Sequence, residues 1–208
     1  MDRDKNSAYI IGFMAVITVI SITLVSSVYL LTKETIRVNE SAVKKQRLFS
    51  SAGIQIPETS RDIDRVYREA IVEKADSEGN ILYYEIYSRE SDSRVLQGYA
   101  TFFRGRGLWG SIDAFISFGT DAETLLGIDF VSQNETPGLG ARITEQWFRR
   151  QFEGKQIPLD FVPEGTDAGK GQFEAVTGAT FTTGAVKNMI NSASRELKEK
   201  LGKTRNNE

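Results

Sequence analysis

The chain has no cysteine and no histidine among its 208 residues. Thiolate zinc sites and cysteine-ligated iron–sulfur clusters are thereby excluded, and haem loses its commonest axial ligands. Nucleophilic catalysis by a cysteine, or by a serine paired with a histidine, is excluded with them. No side chain has an unperturbed pKa near neutrality, so a ready-made proton shuttle is missing too. Redox chemistry here would have to reside in a borrowed organic cofactor. The missing cysteines say little about compartment, because a disulfide-free domain is tolerated on either side of a membrane. Charge of one sign is also lacking: 26 basic against 28 acidic residues leave a net charge of -2. A nucleic-acid footprint needs a basic excess or patch, so no nucleic-acid partner is expected. The one basic cluster, Lys44-Lys45 with Arg47, reads as a solvated helix face.

Charged residues are absent altogether from Asn6 to Thr32, and Ile10–Leu31 is dominated by Ile, Val, Leu and Phe. About 20 apolar residues span a bilayer, so this run reads as a transmembrane helix. A cleaved signal peptide would have an apolar core of about 7–15 residues and a small-residue cleavage site. This run is longer, and Ser26-Ser27-Val28 is a poor site, so the segment reads as an uncleaved anchor in membrane lipid. Its hydroxyls at Thr18, Ser21, Thr23, Ser26 and Ser27 either pack against partner helices or bond their own backbone. Arg3 and Lys5 precede the run, while Lys33, Arg37, Lys44, Lys45 and Arg47 follow it. Taken literally, the positive-inside rule would put the remainder in the cytoplasm, although long domains translocate largely regardless of charge.

The layout expected is a head at 1–7, the transmembrane helix at 8–31, a juxtamembrane stalk or helix at 32–51, one domain at 52–202 and a polar tail at 203–208. Ile71–Ala75, the turn Asp76–Asn80 and Ile81–Tyr87 read as a hairpin. Val95–Phe103, Ile112–Phe118 and Leu126–Val131 read as further strands, with Ile112, Ala114, Ile116 and Phe118 marking a buried face. Thr144–Phe152 reads as a short helix that turns Trp147, Phe148 and Phe152 inward, and Glu164–Gln172 as a loop. Strands followed by helices predict an α+β domain with an antiparallel sheet and packed helices.

Thr177-Gly178-Ala179-Thr180 carries the most information. It places the Thr180 hydroxyl on a path cleared by small residues, and Gly178 can take backbone angles closed to others. Val186, Met189, Ile190, Ala193, Leu197 and Leu201 then recur at helical spacing, so a helix starts near Thr182–Gly184 with Thr182 or Thr183 as cap. A helix start offers unpaired N–H groups to an anion such as a phosphate. Read without further context, these threonines are a cap and a turn.

A second segment, Glu135-Thr136-Pro137-Gly138-Leu139-Gly140-Ala141-Arg142, stands before it. The two motifs in this order resemble the FMN-binding subunit family shared by the Rnf complex (its G subunit) and the sodium-pumping NADH:quinone oxidoreductase (its C subunit). The resemblance runs from the membrane segment to the last helix. In that family the last threonine of Asp-x-x-(Ser/Thr)-Gly-Ala-Thr carries FMN through a phosphoester bond. Here the pattern reads Glu174-Ala175-Val176-Thr177-Gly178-Ala179-Thr180, with Glu174 in the aspartate's place, so the acceptor maps to Thr180. Without histidine or cysteine, attachment through a ring bond is closed in any case.

Gly105-Arg106-Gly107-Leu108-Trp109-Gly110 matches a dinucleotide fingerprint literally, but a strand follows where that motif needs a helix. It reads as a turn between antiparallel strands. Leu108-Trp109 resembles the Gly-Leu-Trp element of the sodium pump's C subunit, where the turn borders the flavin; core burial of Trp109 is the other reading. By the same resemblance, Thr136, Gly138, Leu139 and Gly140 form a turn against the flavin, while Thr177, Gly178 and Ala179 flank its attachment. No catalytic acid, base or metal ligand is expected.

The resemblance implies a redox subunit of an ion-translocating oxidoreductase in a bacterial inner membrane, with its FMN domain on the extracytoplasmic side. Its partners would be the other membrane subunits and, during maturation, a flavin transferase. Two other readings stay open: a membrane-anchored flavin carrier for an unrelated reductase, and a flavin-free extracytoplasmic binding or scaffold domain.

Overall fold

The computed structural model describes residues 2–90 and 93–205. The chain divides into two units, Met1–Ala42 and Val43–Glu208. The first unit is helical, part of a helix α1 that runs Asp2–Ser51. It is the one helix among the described residues long and apolar enough to cross a membrane. The chain thus has a single-pass membrane anchor. Thr18, Thr23 and Ser27 donate to the carbonyls of Met14, Val19 and Thr23, so these hydroxyls are satisfied within the helix.

The second unit opens with the end of α1. Leu48 and Phe49 are 1% and 0% exposed, and the Ser51 hydroxyl shares a 2.8 Å hydrogen bond with Ser117. The compact unit therefore begins at Val43, ahead of the boundary read at residue 52. Arg47 corrects the reading of a solvated basic face: with Arg149 it converges on the buried carboxylate of Asp129. Lys45 pairs with Asp64 and lies over the Tyr67 ring. The polar tail read from residue 203 begins inside the last helix, and 206–208 lie outside the described residues.

Helix α2 (Ser60–Ala70) follows, capped by Thr59, whose hydroxyl accepts from Asp62 N–H. Five strands come next: β1 (Ile71–Ala75), β2 (Ile81–Glu90), β3 (Ser93–Arg106), β4 (Ser111–Gly119) and β5 (Leu125–Ser132). They form an antiparallel meander in sequence order. Every strand read from the sequence is present, β1 with the same bounds and the other four extended by a few residues. β4 is buried on both faces, more than its alternation implied. Ile112, Ala114, Ile116 and Phe118 face the larger core, while Phe115 joins Phe49, Ile63 and Ile86 on the other.

After β5 the chain makes a 3-10 turn (Gly140–Thr144) and a short helix α3 (Gln146–Arg150). Phe148 and Phe152 are fully buried, but Trp147 is only half-buried, with the Arg142 guanidinium 5.2 Å above its ring. A parallel two-stranded pair, β6 (Asp160–Val162) and β7 (Gln172–Glu174), precedes the final helix α4 (Thr180–Arg205). Val186, Met189, Ile190, Ala193 and Leu197 seat α4 on the sheet. Gly105 on β3 leaves the space that Met189 fills, since a Cβ there would overlap the Met189 side chain. That contact fixes the head of α4 beside the β3–β4 turn.

Candidate functional site

α4 starts at Thr180, two residues earlier than its apolar spacing indicates, and neither Thr182 nor Thr183 is its cap. The turn before it explains the difference. Ala179 N–H reaches Val176 C=O at 3.0 Å, with Gly178 at φ 78°, which only glycine adopts freely. The Thr183 hydroxyl is buried, accepts from Val176 N–H at 3.2 Å and donates to Ala179 C=O at 3.0 Å. It ties the turn to the first turn of the helix. The Thr180 side chain is left exposed. The N–H groups of Thr180, Phe181 and Thr182 find no acceptor among the described residues. They open a helix of 26 residues whose dipole favours negative charge there.

Two other segments converge on this helix head. The β3–β4 turn closes through Gly107 N–H to Gly110 C=O at 2.7 Å and projects Leu108 and Trp109, the latter 69% exposed. Antiparallel pairing of β3 with β4 rules out the dinucleotide-binding reading of its glycines, and core burial of Trp109 is ruled out by its exposure. In the loop after β5, Leu139 N–H and Ala141 N–H both reach Thr136 C=O at 3.1 Å, with Gly138 at φ 73° on the tip. Leu139 leans toward Gly178, where a Cβ would lie 3.1 Å from its Cδ2.

The resulting cleft brings together most of the residues picked from the sequence. Leu108 and Trp109 come from one side, Thr136, Leu139 and Gly140 from another, and Gly178, Ala179 and Thr180 from the helix head. Gly138 and Thr177 are not on its wall. Thr177 instead donates its N–H to Glu164 at 2.8 Å. Glu164 also binds Arg142 through two contacts at 3.0 and 3.3 Å. These hydrogen bonds, Arg142 first, hold the Glu164 carboxyl down at about 2. The TGAT segment is thus anchored to the loop ahead of it by an ionised side chain.

Sequence reasoning missed two residues here. Phe181, 78% exposed, stands next to Thr180 on the rim; its position directly after the TGAT segment was the available signal. Glu135 is 5% exposed and lies at the centre. It accepts Trp109 N–H at 3.0 Å through Oε1 and the Thr182 hydroxyl through Oε2. Its place at the start of the second motif was visible, but not the partners that only folding brings to it.

Size alone does not select this site. The cleft holds about 60 Å³, whereas a polar hollow lined by Lys74, Tyr87 and Lys198, among others, holds about 510 Å³. Ligand sites usually exceed about 300 Å³. A groove of about 360 Å³ shares Leu108, Thr180 and Phe181 with the cleft and continues past Arg106, Gly184 and Asn188. Together the two reach the size of a cofactor site. Their chemistry suits FMN: a free hydroxyl and unpaired N–H donors for a phosphate, and exposed apolar side chains for an aromatic ring.

Comparison with known proteins agrees. Residues 107–195 match the FMN-binding domain family. The C subunit of the Na+-translocating NADH-quinone reductase of Pasteurella multocida is 32% identical over 113 residues, 51% of this chain and 44% of that protein. The chain thus spans less than half of that relative. The G subunit of the ion-translocating oxidoreductase complex of Methanosarcina acetivorans is 26% identical over 195 residues, 93% of this chain and 95% of that one. The crystal structure of the NADH-quinone reductase C subunit from Parabacteroides distasonis aligns with a TM-score of 0.63 at 25% identity, covering 79% of this chain and 94% of that one. Residues 107–195 thus match the FMN-binding domain family, and the chain is similar to the C subunit of the NADH-quinone reductase and to the G subunit of the ion-translocating oxidoreductase complex.

Proposed function

We propose that this chain is the electron-transfer subunit of a membrane-bound ion-translocating oxidoreductase, of the Rnf or NADH-quinone reductase type, with FMN esterified through its phosphate to Thr180. The relatives are subunits of such complexes, which supports a redox role beside other membrane subunits. One observation carries the site assignment. Of the two threonines in the TGAT motif, only Thr180, exposed at the head of α4, opens onto the same cleft as Trp109 and Leu139.

Bound there, FMN would supply one- and two-electron chemistry that no side chain of this protein can. The protein's own groups have simpler tasks. The unpaired N–H groups at the start of α4 hold the phosphate, and Gly178 and Ala179 keep its approach clear. Trp109, Leu108 and Leu139 supply apolar contact to the ring and keep water from it. The Thr136 hydroxyl and the backbone around Gly140 would face its polar edge. Thr177, fixed through Glu164, holds the segment in register. Attachment also makes every later encounter between ring and pocket intramolecular, so the cofactor is not lost by dilution. A flavin transferase would install it, and the domain would lie on the extracytoplasmic side of a bacterial inner membrane, anchored in lipid through α1.

The test is in-gel fluorescence of protein co-expressed with a flavin transferase and then denatured. A fluorescent band at the size of the chain is expected. A dark band with the transferase present would overturn the reading and favour a flavin-free scaffold.

A further inference from the structure

The electron-transfer reading gives no task to the buried charge at the centre of the cleft. Glu135 is almost fully enclosed, and both oxygens face donors, Trp109 N–H and the Thr182 hydroxyl. Both of its oxygens thus act as hydrogen-bond acceptors. No lysine or arginine pairs with it among the described residues. Two glycines are shaped around it. A Cβ at Gly107 would fall 2.5 Å from its Oε1, and one at Gly140 would fall 2.8 Å from its Cβ. One side chain therefore ties the β3–β4 turn, the loop after β5 and the head of α4.

We propose that Glu135 is the positioning residue of the flavin cleft, and that its unpaired negative charge holds the bound flavin toward its oxidised form. This rests on the cleft being the FMN site. The clamp follows from geometry: Trp109 is exposed, and the Glu135 contact to its N–H fixes the backbone from which the indole projects. The bias follows from charge. Reduction adds negative charge to the cofactor, and a carboxylate in the same cleft, without a cation and shielded from water, disfavours any added negative charge.

Glu135→Gln separates the two roles. The glutamine oxygen can still accept Trp109 N–H, and the Thr182 hydroxyl can turn to accept from the new amide. Shape is kept and the charge is gone. In full-length flavinylated protein, redox titration followed by absorbance should give Glu135→Gln a more positive midpoint potential than the wild type. An unchanged or more negative potential would overturn the electrostatic role.

The clamp is tested without flavin, by hydrogen exchange of the Trp109 amide in full-length Thr180→Ala protein. Adding Glu135→Ala should speed that exchange by tenfold or more, and Glu135→Gln should leave it close to the parent. Should Glu135→Ala fail to fold, Thr182→Val removes only the α4 end of the clamp, and exchange should again rise. Unchanged protection in the folded variant would overturn the positioning role. Failure of the FMN reading looks different: the wild type would carry no flavin to titrate, while the exchange result would stand.

Discussion

Replacing Gly140 with alanine puts the convergence of the three segments under the most direct mechanical test. Gly140 is buried, and an added Cβ would sit 2.6 Å from Thr182 Oγ1, 2.8 Å from Glu135 Cβ and 2.9 Å from Glu135 Oε2. Separations under 3.0 Å require something to move, and neither neighbour is a flexible tip. Thr182 is fixed in the first turn of α4, and both Glu135 oxygens are engaged. Overpacking of this kind costs about 1–3 kcal/mol. Loosening a hydrogen bond to a charged group adds about 1.5–3 kcal/mol where it is lost outright. The two overlap, so about 2–4 kcal/mol is the expected total. For a unit of this size each kcal/mol lowers the melting temperature by roughly 2–4 °C, which gives a fall on the order of 10 °C. Gly138→Ala is the control. Its Cβ would meet nothing within 4 Å, so only the left-handed backbone, φ 73°, is penalised, by about 1–2 kcal/mol. Thermal melts of the purified chain in detergent compare the two. A Gly140→Ala protein as stable as the wild type, or more stable than Gly138→Ala, would refute the packing of this loop on the head of α4.

Other expectations follow from single contacts. Phe49→Ala should cost about 3–5 kcal/mol in chemical unfolding, because that ring is wholly buried; for the same reason a fragment starting at Val43 should be soluble and folded, and one starting at Ile54 should aggregate. Glu164 titrates at about 2 rather than its ordinary 4.5. A depressed carboxyl contributes stability above the unfolded value and loses it as pH falls toward the folded one. Arg142→Ala should therefore raise the Glu164 midpoint in a carboxyl NMR titration and shrink the stability change between pH 4.5 and 2. Trp109→Ala and Leu139→Ala should leave flavin attachment intact while shifting its midpoint potential and raising its fluorescence; unaltered potentials in both would remove these residues from the ring contact.

Local signals made much of this molecule legible. The uncharged run marked the membrane helix, and alternation with turn residues marked the meander, because hairpin strands pair with their sequence neighbours. α2 went unread: Ile63, Val66, Tyr67 and Ala70 recur at helical spacing behind Thr59, but the run is short and polar. The parallel β6–β7 pair was not legible either, because three-residue strands carry no period. The burial of Leu48 and Phe49 was hidden for another reason: the helix that carries them reads as polar stalk, and only docking on the sheet reveals which side is apolar. At the cleft the motifs named segments that the fold brings together, yet Glu135 escaped notice. Its importance comes from Trp109 and Thr182, residues brought to it from separate parts of the chain.

Peptide mapping of the denatured, flavinylated chain by mass spectrometry tests the central claim most directly. The account predicts FMN, added with loss of one water, on the peptide containing Thr180, and its disappearance in Thr180→Ala but not in Thr177→Ala or Thr183→Ala. Covalent flavin that persists in Thr180→Ala, or maps to another residue of the wild-type chain, would contradict it.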